Sequence, residues 1–179
     1  MNDKRFTSER LEIRPWRIDE AERLLEIRRI PEIARWLSDP EPWADVEQAR
    51  EMIREWASIE PGAPPLGTWA IVPSVSGVPV GTISLKRLPS SREIEIGWYL
   101  HPDAHGQGYA AEAATAVLRH AADAGIERVW AIMWPDNLAS AKVARRAGMT
   151  DLGVRPDPWY GSKTDPDSRM FRIDLTDRI

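Results

Sequence analysis

The stretch HGQGYAAEAA, residues 105–114, sets Gly106 and Gly108 immediately before an alanine-rich run. Glycine loses more conformational freedom on ordering than any other residue and is a poor helix former. A glycine pair at the start of a helical pattern therefore implies a backbone shape, or a close approach, that a Cβ would block. The first-turn N–H groups of a helix have no partner inside it, and the helix dipole favours negative charge there. Together these features make an anion site whose natural occupant is a phosphate or pyrophosphate. The helix itself is legible: Ala110, Ala113, Ala114, Val117, Leu118, Ala121 and Ala122 form one apolar stripe. Gly125 can end it.

The rest of the chain is read against that helix. LEIRPWR, residues 11–17, alternates as a strand, and Asp19 can cap a helix through AERLLEIRR. A second helix is expected from about Ala44 to Ile59, and PGAPPLG, residues 61–67, reads as a loop. TWAIV, VPVGTISL and REIEIGWYL are β-rich runs that form an antiparallel meander, the first two joined by SVSG. Beyond the glycine helix come a strand at RVWAIMW and a short helix at 137–148, with Asn137 as N-cap and Gly148 at C′. MTDLGV and SRMFRIDL close the sheet around a polar loop at 155–168. The order predicts one mixed α/β domain with a parallel crossover in its middle.

Which phosphate ligand the glycines serve is narrowed by what surrounds them. Gly106, Gly108 and Ala111 satisfy G-x-G-x-x-A after a strand, so a dinucleotide-binding unit is a rival. That motif belongs in the first βα unit of a parallel sheet, whereas here a meander precedes it. The acid expected about 20 positions on is also misplaced, the nearest at the next strand's end being Asp136. No G-K-[ST] follows, which excludes a Walker loop. The three histidines, His101, His105 and His120, are too scattered for a metal site, and no metal is expected. A net charge of −4 argues against a nucleic-acid partner. With no cysteine, no run of about 18 apolar residues and no apolar leader, a cytoplasmic protein without membrane contact is expected.

IEIGWYLHPDAHGQGYAAEA followed by NLASAKVARRAGM resembles the GNAT superfamily of acyl-CoA-dependent N-acetyltransferases. With TSERLEIRPW and VGTISL, the likeness runs from about Thr7 to Arg172 and is closest to the Rim-type branch, the ribosomal-protein N-terminal acetyltransferases. The resemblance implies a mostly antiparallel sheet of about seven strands with a central βαβ crossover and about four helices, the whole of residues 1–179 forming one acyl-CoA N-acyltransferase domain. It implies that the pyrophosphate of acetyl-CoA lies on the backbone of Gly106, Gln107, Gly108, Tyr109 and Ala110. His105 stands where the family often has Gln or Arg, and can still donate to a phosphate. By the same likeness Leu100 pairs with the pantetheine arm, Asn137 contacts it, and an oxyanion donor is a backbone N–H near Tyr99 or Leu100, where the strand splays from its neighbour. Gly97 can mark a bulge that permits the splay.

Acyl transfer to an amine needs a base, since an alkylamine is mostly protonated at neutral pH. Glu95 shares a face with Glu93 on the strand before the glycines, and unpaired carboxylates between isoleucines are costly. Glu95 is the expected base, Glu93 the weaker choice, and pairing with Arg92 or Lys86 the plainer explanation. Many family members carry an acidic tyrosine where this chain has Ala144. Ser140, one turn earlier, is the substitute, or else a serine serving only its helix's first turn. Lys142 and Arg145 can reach the adenosine phosphates. Trp159 and Tyr160, in the polar loop, can line an acceptor pocket or simply anchor that loop, and Asp157, Asp165 and Asp167 would attract a cationic acceptor. Arg14 has no role derivable from its position. The expected reaction is direct acetyl transfer in a ternary complex to a primary amine, either a protein N-terminus or a small molecule. A non-catalytic acyl-CoA-binding module is the alternative, and the sequence leaves monomer and homodimer both open.

Overall fold

A computed structural model describes residues 5–37, 43–58, 65–162 and 165–176. Its strands form one eight-stranded sheet of order β1-β2-β3-β4-β5-β6-β8-β7. The strands are β1 Phe6–Thr7, β2 Leu11–Arg14, β3 Gly67–Pro73, β4 Gly81–Arg87, β5 Ile94–Leu100, β6 Arg128–Met133, β7 Thr150–Pro156 and β8 Asp167–Asp174. The α-helices are α1 Ala21–Arg28, α2 Pro31–Ala34, α3 Val46–Ala57, α4 Tyr109–Asp123 and α5 Leu138–Arg146. Every strand pair is antiparallel except β5 with β6, which α4 connects as the expected crossover. One parallel pair is not a doubly wound sheet, so the dinucleotide-binding arrangement falls away.

The sheet separates two apolar layers. On one side the alanine stripe of α4 packs with α5 against Ile83, Leu85, Ile94, Ile96, Val129 and Phe171. On the other, α1 and α3 cover Ala70, Val72, Trp16 and Trp43. Alternation along β5 sends Ile94, Ile96 and Leu100 into the first layer, and Glu95, Gly97 and Tyr99 toward the second. Among the described residues no helix is long and apolar enough to cross a membrane.

Several expectations change. Among the described residues there are eight strands rather than about seven, because β1 is a two-residue pairing too short to show a period. The described residues hold five α-helices rather than about four, because α2 is one turn begun by Pro31. The first predicted strand stops at Arg14, since Pro15 cannot donate to the ladder. Asp19 does not cap α1; a 3-10 turn at Ile18–Glu20 leads in, and the Glu20 carboxylate accepts the Arg17 N–H at 3.0 Å. Asp45 caps α3, accepting the amides of Glu47 and Gln48, and Ile59 lies outside the described residues. So do residues 61–64 of the predicted loop, whose last member, Gly67, begins β3. Gly97 marks no bulge, for the β4–β5 register runs unbroken from Gly81↔Leu100 to Arg87↔Ile94. The irregularity falls instead in β7, between Asp151 and Val154.

Candidate active site

β5 and β6 pair only at Ile94↔Val129 and Glu95↔Trp130. Beyond those pairs the strands part, and a cleft of about 640 Å³ opens between Ile96–Leu100 on one side and Ala131–Trp134 on the other. The β4–β5 ladder fixes which backbone groups face it. Leu88 N donates to Glu93 O, and His101 N donates to Val80 O. Odd-numbered residues of β5 therefore direct their N–H and C=O groups to β4, and even-numbered residues direct theirs the opposite way. The amides of Trp98 and Leu100 consequently face the gap, while that of Tyr99 does not.

The glycine loop closes one end of the cleft. Gly106 and Gly108 have φ of +76° and +81°, left-handed values that disfavour any side chain, and Gly108 is the N-cap of α4. The first α4 amide to find a backbone acceptor is that of Glu112, which donates to Gly108 O. Those of Tyr109, Ala110 and Ala111 precede it and have no partner within the helix. His105, Gly106, Gly108, Tyr109 and Ala110 all line the cleft. His105 Nε2 donates to Leu100 O at 3.1 Å, so its ring ties the loop back to β5. Gln107 lines a second, smaller hollow of about 300 Å³ behind the loop. Glu112 binds the Ser8 hydroxyl at 2.7 Å and the Arg10 guanidinium at 2.6 Å. Burial pushes its carboxyl up, but Ser8 and Arg10 outweigh this and hold it below its ordinary value.

From α5, Asn137, Ser140 and Lys142 reach the same cleft. Asn137 Oδ1 accepts the Ser140 N–H at 3.1 Å, which realises its capping role. With the cap supplied by Asn137, the Ser140 hydroxyl is left on the cleft wall without a hydrogen bond among the described residues. Arg145 points elsewhere and binds Asp151 at 2.6 Å. Arg146 lines the cleft instead; its spacing of i+4 from Lys142 was the available signal.

Glu95 lies in the cleft floor and is 6% exposed. Lys86, its cross-strand partner, brings Nζ to 3.7 Å of Oε2. The Tyr160 hydroxyl donates to the same Oε2 at 2.6 Å. Burial raises the Glu95 carboxyl above its ordinary value, while Lys86 and the Tyr160 hydrogen bond offset part of that rise. Glu93 is engaged differently, accepting the Trp130 indole N–H at 2.6 Å. Tyr160 and Trp159 do not line the cleft: Tyr160 stands behind Glu95, and Trp159 packs edge-on against Trp130 with centroids 5.1 Å apart.

The open half of the cleft, on the α1–α3 side, is walled by Arg28, Glu32, Ile33, Trp36 and Trp56, with Thr82 and Ser84 beneath. Arg28 and Trp98 are wall residues that sequence reasoning did not single out. Trp98 shares the face of β5 that carries Ile94, Ile96 and Leu100, where a strand pattern signals only packing. Its indole Nε1 is buried without a hydrogen-bond partner among the described residues.

A family model described as an acetyltransferase (GNAT) domain matches residues 10–150. The chain is 28% identical over 130 residues to the uncharacterized N-acetyltransferase YoaA of Bacillus subtilis (strain 168), covering 72% of this chain and 73% of that protein. Among solved structures, the ribosomal L7/L12 alpha-N-protein acetyltransferase RimL in complex with coenzyme A matches with a TM-score of 0.77 at 23% identity, over 93% of this chain and 95% of that one. The microcin C7 self-immunity acetyltransferase MccE, in complex with acetyl-CoA and AMP, matches with a TM-score of 0.76 at 17% identity, over 93% of each chain. At those identities the two structures share the fold. The family model spans the helix-opening glycines, the parted strands and the capped α5 together, and the chain belongs to the GNAT acetyltransferase family.

Proposed function

We propose that the chain, as a single acyl-CoA N-acyltransferase domain, moves the acetyl group of acetyl-CoA to a primary amine by direct attack in a ternary complex. The observation that carries this reading is a buried carboxylate, Glu95, in the floor of a cleft whose end is the amide-lined start of α4. The residues present fit the cofactor. The Gly106–Ala110 backbone and the α4 dipole suit a pyrophosphate, Lys142 and Arg146 suit further phosphates, and the Trp98 and Leu100 amides suit the amide carbonyls of an extended pantetheine arm. When bound, acetyl-CoA supplies an acetyl group activated as a thioester.

Glu95 takes the proton that the amine must lose, directly or through a water. A carboxyl raised by burial is better matched to that task near neutral pH than an ordinary one. The amides facing the gap donate to the carbonyl oxygen as it gains charge. Ser140 can protonate the departing sulfur, although a thiol of ordinary pKa, about 8.5, leaves with little help. The acceptor enters over the Trp36–Trp56 side and is a protein N-terminal amine or a small amine.

Glu95→Gln tests the base. It keeps the shape and should lower kcat by roughly 10²–10⁴, the usual contribution of general-base catalysis. Free-thiol release with an amine acceptor measures it, and coenzyme A binding should stay unchanged. Full turnover in the variant would overturn the assignment.

A further inference from the structure

We propose that Tyr160 is a positioning residue for Glu95, holding one carboxylate oxygen so that the other alone serves the cleft. This rests on Glu95 acting as the base. Both contacts to the carboxylate fall on Oε2, from the Tyr160 hydroxyl at 2.6 Å and Lys86 Nζ at 3.7 Å. Oε1 has no partner among the described residues. Tyr160 does not belong to the cleft wall, so it reaches the chemistry through Glu95 and not through the acceptor.

The turn that carries Tyr160 is built to hold it still. Asp157 Oδ1 accepts the amides of Trp159 at 2.8 Å and Tyr160 at 3.0 Å. Asp157 N donates to Pro166 O at 2.8 Å, and Gly161 N donates back to Asp157 O at 3.2 Å. A Cβ at Gly161 would run into the carbonyl oxygens of Asp157 and Pro166, so only glycine closes the turn. Trp159 docks the turn on Trp130, whose own indole is fixed by Glu93. Lys86 lies over the Tyr160 ring, 5.8 Å from its centroid. Two side chains, Lys86 from the neighbouring strand and Tyr160 from a turn 65 residues on, thus converge on one carboxylate oxygen.

A hydrogen bond donated to the charged form of an acid favours that form. The charged groups around Glu95 are Lys86 on β4, Asp157 in the turn and Glu93 on its own strand, with Arg128 of β6 beside Glu93 at 3.9 Å. Tyr160→Phe leaves all of them in place and removes only the donor. It should move the acid limb of the pH profile of kcat/KM upward by about one pH unit. It should also lower plateau kcat by about tenfold, with KM for acetyl-CoA unchanged. Incorporating 2,3-difluorotyrosine at position 160 keeps the fold and makes the phenol a stronger donor, so the limb should move the other way. A purely structural tyrosine would change thermal stability and leave the limb where it is. A limb unmoved in both variants, with Glu95→Gln inactive, overturns the proposal and leaves the base intact. An active Glu95→Gln overturns the base and the proposal with it.

Discussion

Arg14, the last residue of β2, is 3% exposed. Its guanidinium grips Glu20 bidentately, at 2.9 and 2.6 Å. Glu20 in turn accepts the Arg17 amide, so one ion pair fixes how the chain leaves β2 and enters α1. The Glu20 hydrogen bond is the main reason Arg14 binds its proton more tightly than usual. For Glu20, burial alone would raise the carboxyl, but Arg14 and the Arg17 amide bring it below its ordinary value. Arg14→Met should cost about 2–3 kcal/mol, below the ~3–5 kcal/mol of a fully buried pair because Glu20 keeps 14% exposure. That corresponds to a fall in melting temperature of roughly 5–10 °C. A carboxyl depressed by folding contributes stability that is full above its unfolded pKa of about 4.3 and is lost as pH falls through the folded value. The gap between wild type and Arg14→Met should therefore be widest near neutral pH and shrink in acid, as paired thermal melts would show. A gap independent of pH would mean that Arg14 acts by packing alone. Glu95 and Arg14 pose the same puzzle in the sequence, a charge among apolar neighbours, yet it does not say which charge has a distant partner. Tyr160 is 65 residues from Glu95, and nothing local links them.

The elements that were legible are those with a long period or a strong stop signal. α4 shows its alanine stripe, α5 its Asn137 cap and Gly148, and the meander its alternation. What escaped is short or irregular: two-residue β1, one-turn α2, and the turn at 157–161, whose geometry depends on Asp157 reaching two amides. The glycine loop is where local conformation and ligand binding coincide. At Gly108 an added Cβ would meet only Arg10 Nη2 at 3.5 Å, an ordinary contact, so its cost is conformational. Gly108→Ala should destabilise the chain by about 1 kcal/mol, the usual penalty of a left-handed alanine, and lower the melting temperature by roughly 2–4 °C. It should also weaken coenzyme A binding, because the φ of +81° is what aims the first α4 amides at the cleft. Calorimetric titration beside a thermal melt separates the two effects, and unchanged binding would move the phosphate site away from this turn.

Across the whole molecule, the topology follows from the order of periods, with one parallel crossover amid hairpins. Coenzyme A at 100 times its dissociation constant should stabilise the fold by about 2.7 kcal/mol, raising the midpoint by roughly 5–10 °C, while NAD should leave it unmoved. A shift with NAD alone would reopen the dinucleotide reading. The parting of β5 from β6 after two residue pairs has a consequence for exchange with solvent. Most sheets leave unpaired amides only along their outermost strands, where a foreign strand can add to them. Here a second set lies in the middle, facing the cleft between the parted strands. In deuterated water the amide hydrogens of Trp98 and Leu100 should exchange quickly in the free protein and slow with coenzyme A bound. Those of Gly97 and Tyr99, turned toward β4, should stay protected in both. The molecule thus keeps a template for strand addition inside itself, open to a thin, extended ligand.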